Sequence, residues 1–316
     1  MKKFLVMFLL LAVFVTGVFA RGARQPEGVH IEVVSKGFLH QFWQNVYIGA
    51  QRAADELGIT INFVGPESEA MIDVQSDMFE TAMARNPNAI AFAALDAVAQ
   101  APLVARAVAQ GIPVVTFDAT VTPDTHVSNF IATDSLAAGG VAADMMNEAL
   151  GGRGGRVAVM ASDMTNTTQI LRRDGFVNRV RERYPNIEIV TIVYGIDPLT
   201  ATEEATSVLI ANPDLAGFYA CNEGTAIGLA NALRSLNRRD VIGIGFDSGQ
   251  LQLDAIRDGT LYGAIQQNPV RIGYDAIMMA YRAYRGETVP RLIDTGIVWA
   301  HRGNLDSPEV TAVIYH

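Results

Sequence analysis

From residue 28 onward, short β-branched apolar runs alternate with longer stretches whose apolar residues recur every three or four positions. The runs predict strands at 30–35, 60–64, 89–93, 114–117, 156–160, 188–194, 217–221, 241–246 and 261–265. The helical periodicity predicts helices that include 42–57, 74–85, 135–150, 168–184, 202–211 and 225–236. Chain breakers fall where these helices should stop: Gly58, Asn86-Pro87, Gly151-Gly152 and Asn212-Pro213, with Gly111 ahead of Ile112-Pro113. Strand, helix, strand at this rhythm predicts the α/β class, with parallel sheets covered on both faces.

The two halves repeat each other loosely. Asn86-Pro87-Asn88 leads into an apolar run as Asn212-Pro213-Asp214 does, and the run ending Phe117-Asp118 matches the one ending Phe246-Asp247. Two doubly wound sheets in one chain place a ligand in the crevice at the carboxyl ends of their strands. The length agrees, since 316 residues usually make two domains.

The first twenty residues have the three parts of an export signal: Lys2 and Lys3, an apolar run from Phe4 to Val15, and small residues ending at Ala20. Cleavage after Ala20 is expected, giving a protein released to the periplasm, because the apolar run is shorter than the roughly 20 residues of a spanning helix. No cysteine follows the run to carry a lipid. Loss of Lys2 and Lys3 leaves 22 of the 24 basic residues against 33 acidic ones, taking the net charge from −9 to −11. So acidic a chain is not expected to bind nucleic acid. The one cysteine, Cys221, excludes an intramolecular disulfide and reads as a buried structural thiol, so a core must carry the stability. Hydrophobic residues, at 50%, are ample for that.

Candidate chemistry gathers after the predicted strands. Ser35 to Trp43 contains His40, Phe42 and Trp43, and rings beside hydrogen-bonding groups suit a sugar, whose C–H faces stack while its hydroxyls form a polar belt. Phe42 and Trp43 can equally open a helix and pack on the sheet. Asp118 and Asp247 can each accept two hydroxyl protons, or cap the next helix. Their equivalent positions in the two halves favour the ligand reading. Asn222, Gln267 and the group Asn166-Thr167-Thr168-Gln169 ahead of Arg172 offer further donors and acceptors, with capping and turn roles as the alternatives. The histidines at 30, 40, 126, 301 and 316 show no metal-ligand spacing, and neither a nucleophile elbow nor a phosphate loop is present. Gly151-Gly-Arg-Gly-Gly155 precedes a predicted strand and reads as a turn. No enzyme, cofactor or metal is therefore expected.

In order along the chain, Lys36-Gly-x-x-His40-x-Phe42-Trp43, Gly111-Ile-Pro-Val-Val-x-x-Asp118, Ile131-Ala-Thr-Asp134, Asn222-Glu223, Gly245-Phe-Asp247 and Gln267-x-Pro269-x-x-x-Gly273 resemble the type I periplasmic sugar-binding proteins, of the ribose, galactose and glucose class, that serve ABC transporters. The resemblance runs from about residue 31 to 298. It implies a monomeric, non-enzymatic receptor that closes two α/β lobes around a monosaccharide or related polyol and delivers it to a membrane permease. A sensory receptor of the same fold is the alternative. It also implies a three-segment hinge near Ala132, Gln267 and Thr295. The lobes would then be 28–132 with 268–294, and 133–267 with 295–316. Phe42 and Trp43 would stack on the sugar with His40 near a hydroxyl, and Asp118, Asn222, Asp247 and Gln267 would bind it. Lys36, Asn166, Thr168 and Arg172 complete the expected contacts. Ribose-binding members carry arginines where this chain has Ala119 and Ile170, so the clamp they make on ring hydroxyls does not transfer. The broad face of Trp43 suits a hexose, a deoxysugar or a cyclitol.

Overall fold

The computed structural model describes residues 28–37 and 40–315, so the export-signal expectation lies outside the described residues. The chain first lays down β1 (His30–Val34), α1 (Gln41–Leu57), β2 (Thr60–Val64), α2 (Ile72–Ala84), β3 (Ala89–Phe92), α3 (Ala101–Ala109), β4 (Val114–Phe117) and β5 (Asn129–Ala132). It continues through α4 (Ser135–Ala149), β6 (Gly155–Ala161), α5 (Thr167–Arg183), β7 (Ile187–Tyr194), α6 (Pro198–Ala211), β8 (Leu215–Ala220), α7 (Glu223–Ser235), β9 (Ile242–Phe246), α8 (Gln250–Arg257) and β10 (Gly263–Gln266). It ends with α9 (Pro269–Tyr284), β11 (Leu292–Asp294), β12 (Val298–His301) and α10 (Pro308–Thr311).

These strands make two six-stranded sheets, ordered β11-β5-β4-β3-β1-β2 and β12-β10-β9-β8-β6-β7. The order is the same in both, so β4 and β9, which precede the two aspartates, are equivalent. All pairs are parallel except β10 with β12. Every predicted strand forms. β5, β11 and β12 were not among them.

Period-two alternation explains how each sheet is covered. In β1, β3 and β4 the residues Ile31, Val33, Ala89, Ala91, Val115 and Phe117 join one core with α1 and α9. Their neighbours Val34, Ile90, Phe92 and Val114 join another with α2 and α3. The second sheet is sandwiched in the same way.

The chain passes between lobes at β5 to α4, β10 to α9 and β11 to β12. After the first two passages the new helix lies against the first helix of the lobe it enters: α4 on α5, and α9 on α1. Glycines make both contacts unusually close. A Cβ on Gly49 would run into the Val270 carbonyl, and one on Gly273 into that of Val46. In the other lobe, Gly139 faces the Arg172 carbonyl and Gly175 that of Leu136. Backbone therefore meets backbone, and α1 and α5, which carry cleft residues, are fixed to helices that emerge from the crossings.

Gly49→Ala is expected to destabilise the protein by about 1–3 kcal/mol through overpacking, read as a lower denaturation midpoint at unchanged m-value. Gly58→Ala is the control: its added Cβ meets nothing, and only the cost of a left-handed residue at φ 64° remains.

Candidate functional site

The carboxyl ends of both sheets face one cleft. Lys36, His40, Phe42, Trp43 and Asp118 line it from one lobe, and Arg172, Asn222, Asp247 and Gln267 from the other side. Among the described residues no group of three or more His, Cys, Asp or Glu side chains is placed to hold a metal ion, and no helix is long and apolar enough to cross a membrane.

The two aspartates are built alike. Asp118 and Asp247 take positive φ of 59° and 75°, a conformation Asp tolerates better than most side chains. Each donates its backbone N–H to the next strand, Asp118 to Ile131 at 2.8 Å and Asp247 to Ile265 at 2.7 Å. Gln252 steadies the second turn, donating to the Phe246 and Asp247 carbonyls at 3.1 and 2.8 Å. Neither aspartate caps the helix that follows: the N-cap of α8 is Gly249.

Each carboxylate has a buried cation from its own lobe. Lys36 Nζ lies 2.7 Å from Asp118 Oδ2, and Arg172 Nη1 lies 3.8 Å from Asp247 Oδ2. Burial works against the Lys36 ammonium, but Asp118 and Glu69 outweigh it and hold its pKa above the ordinary lysine value. The looser second pair is supplemented: Asp247 also accepts from Gln267 Nε2 at 2.6 Å and from the Glu223 backbone N–H at 3.1 Å. Burial nevertheless raises the Asp247 pKa, with Arg172 pulling the other way.

Arg172 spreads its guanidinium 3.7 Å from the centroid of the Phe246 ring and donates to the Cys221 carbonyl at 3.0 Å. Its Nε and Nη2 are buried with no acceptor in the protein. Cys221 itself is buried, and its thiol is pushed up to about 12 by that burial, against the pull of Arg172.

The aromatic pair comes from α1. Phe42 and Trp43 meet edge to face at 4.9 Å, and the Trp43 indole N–H donates to Glu69 Oε1 at 2.8 Å. Both rings line the cleft and also belong to the core beneath it.

Asn166 and Thr168 are not among the residues lining the cleft. Asn166 is the N-cap of α5, its Oδ1 accepting from Thr168 N at 3.1 Å and Thr168 Oγ1 at 2.7 Å. Asn222 lines the cleft, and its Oδ1 is spent in a capping box with Thr225. Glu69, Gln169 and Glu223 also line the cleft. Gln169 belongs to the donor group 166–169 and Glu223 to the motif Asn222-Glu223, although neither stood among the expected contacts. Glu69 lies in the loop after β2 and carried no signal in the sequence.

Two doubly wound lobes joined by three crossings, with a polar and aromatic cleft between them, define a two-lobed solute-binding protein. The chain belongs to the type I periplasmic sugar-binding proteins, and the family model described as periplasmic binding protein domain matches residues 31–288. It is 27% identical to the D-allose-binding periplasmic protein of Escherichia coli K12 over 82% of this chain and 86% of that one. An ABC transporter solute-binding protein from Agrobacterium vitis, solved with bound D-fucose, is 34% identical with a TM-score of 0.87, covering 90% of this chain and 100% of the other. A carbohydrate transporter solute-binding protein from Agrobacterium radiobacter, in complex with D-arabinose, superposes at TM-score 0.88 with 28% identity, covering 92% of this chain and 100% of that one.

Glu223 titrates unusually. Burial first, then the Asp247 carboxylate, push it up to about 8, against hydrogen bonds from Gln41 N, Phe42 N and Tyr315 OH. His40, Lys36 and Arg172 also face the cleft beside it. An acid raised in the folded state contributes stability that is complete below its unfolded pKa of about 4.3 and lost as pH climbs through 8. Stability is therefore expected to fall by up to about 1.4 kcal/mol per pH unit between roughly pH 5 and 8. Glu223→Gln should flatten that decline in a series of thermal melts, although Asp247, shifted the same way, keeps part of it.

Proposed function

We propose that this protein is a periplasmic, monomeric, non-enzymatic receptor that captures a monosaccharide or related polyol by closing its lobes and delivers it to the permease of an ABC transporter. The observation that carries this reading is the pair of unsatisfied Arg172 donors, buried in a cleft that Trp43 and Phe42 wall on the other side. Buried N–H groups without acceptors cost free energy, and a ligand oxygen removes that cost. Lys36, His40, Asn222 and Gln267 offer further donors, while Asp118 and Asp247 accept from hydroxyls. The rings take an apolar C–H face. A neutral polyol meets all of these demands together.

The named relatives support the same class. The proteins matched are sugar-binding components of transport systems, and the two Agrobacterium structures hold monosaccharides. Closure brings Asp118 and Asp247 onto one ligand from opposite lobes, and the closed form presents a composite surface to the permease.

A thermal-shift screen against D-fucose, D-arabinose, D-allose, D-ribose and uncharged polyols should give at least one clear rise in melting temperature, because a ligand that binds only the folded state stabilises it. The absence of any shift across the panel would remove the sugar assignment. For the sugar found, Asp247→Ala should weaken binding about 100-fold by calorimetry, since it strips acceptors from buried hydroxyls and leaves Arg172 unpaired. Unchanged affinity would take Asp247 out of the site.

A further inference from the structure

The N-terminus of α1 opens onto the cleft without a cap from its own lobe: His40 occupies the N-cap position with no side-chain bond, and no acid lies in the first turn. The missing acceptors come from the opposite lobe. Gln41 N and Phe42 N donate to Glu223 Oε1 and Oε2 at 3.2 and 3.3 Å.

The reverse arrangement holds at α8. Its N-cap is Gly249, which has no side chain to offer, and Gln250 N donates instead to Gln41 Oε1 at 2.8 Å. Each lobe thus caps a helix of the other. Tyr315 closes the corner: its hydroxyl donates to Glu223 Oε2 at 3.4 Å, its ring lies 6.3 Å from Phe42, and its backbone carbonyl accepts from Gly249 N at 3.3 Å. The corner is tight, for a Cβ on Gly249 would stand 3.1 Å from Glu223 Cδ and 3.2 Å from Gln41 Oε1.

We propose that Gln41 and Glu223 form a latch that favours the closed cleft independently of the ligand, by exchanging helix caps between the lobes. The inference rests on the reading that the lobes open and close around a ligand. Opening exposes both helix ends to water and breaks three hydrogen bonds at one place, so the latch acts on the lifetime of the closed form. Glu223 also lines the cleft, whereas Gln41 does not. Gln41→Ala is therefore the informative variant, and alanine suits the first position of a helix, so the lobe should fold.

The test uses the full chain with fluorescent probes at Gln110 and Arg183, exposed positions on opposite lobes. Energy transfer then reports the closed fraction, and stopped flow with the sugar identified above reports binding rates. Gln41→Ala is expected to raise the dissociation rate about five- to tenfold, with the association rate and the rank order of sugars unchanged, and to lower the closed fraction with and without sugar. Glu223→Ala, which removes the acceptors of both Gln41 N and Phe42 N, should lower the ligand-free closed fraction further. Dissociation and closed fraction both equal to wild type in Gln41→Ala would overturn the latch, as would a reshuffled sugar preference, which would make Gln41 a ligand contact. If wild type binds no sugar in the panel, the transport reading fails by itself. The ligand-free closed fraction then decides the latch: lower in Gln41→Ala supports it, equal overturns it.

Discussion

The cleft is organised around two carboxylates that the backbone places where carboxylates are expensive. Asp118 and Asp247 each end a central strand in a left-handed turn, which directs the side chain off the sheet edge and into the space between lobes. A buried charge needs a partner, and each has one from within its own lobe, Lys36 or Arg172. Much of the remaining chemistry follows from this need. Gln267, the Glu223 backbone and Gln252 all act on the weaker of the two pairs, where the cation stands 3.8 Å away.

The lobes resemble each other in frame and differ in what they present. Both use the same strand order and the same glycine-mediated helix contact. The first lobe contributes two aromatic rings from α1, whereas in the second the Phe246 ring lies beneath Arg172 and supports a guanidinium. The rings Phe42 and Trp43 therefore stand on one wall, while charged groups line both, Lys36 and Asp118 on one side and Arg172 and Asp247 on the other.

The crossings explain how such walls keep their register. Because α4 and α9 each leave one lobe's sheet and pack on the first helix of the other, the cleft-bearing helices α1 and α5 are tied to the hinge by backbone contact. Gly139 meets the carbonyl of Arg172 itself, so the cation of the second pair is referenced directly to a crossing helix.

Much was legible in the sequence because it is encoded locally. Period-two runs, helical stripes and Gly or Pro stops mark strands, helices and boundaries within a few residues, and the loose repeat revealed two similar sheets. The equivalence of Asp118 and Asp247 was visible for the same reason, as was the aromatic pair at 42 and 43. The strands β5, β11 and β12 were not, since two of them come from the C-terminal crossings and find their sheet partners only in the folded chain. Nor could sequence choose between cap and ligand contact for Asn166, Thr168 and Asn222, because the same side-chain oxygen serves either and only its neighbours in space decide. The bond from Trp43 to Glu69 and the exchange between Gln41 and Glu223 join residues apart in the chain, the last two separated by 182 positions. Local sequence carries hydrophobic period and turn chemistry. Which polar groups meet across the cleft was decided by the tertiary structure alone, where burial and distance set the partner of each charge.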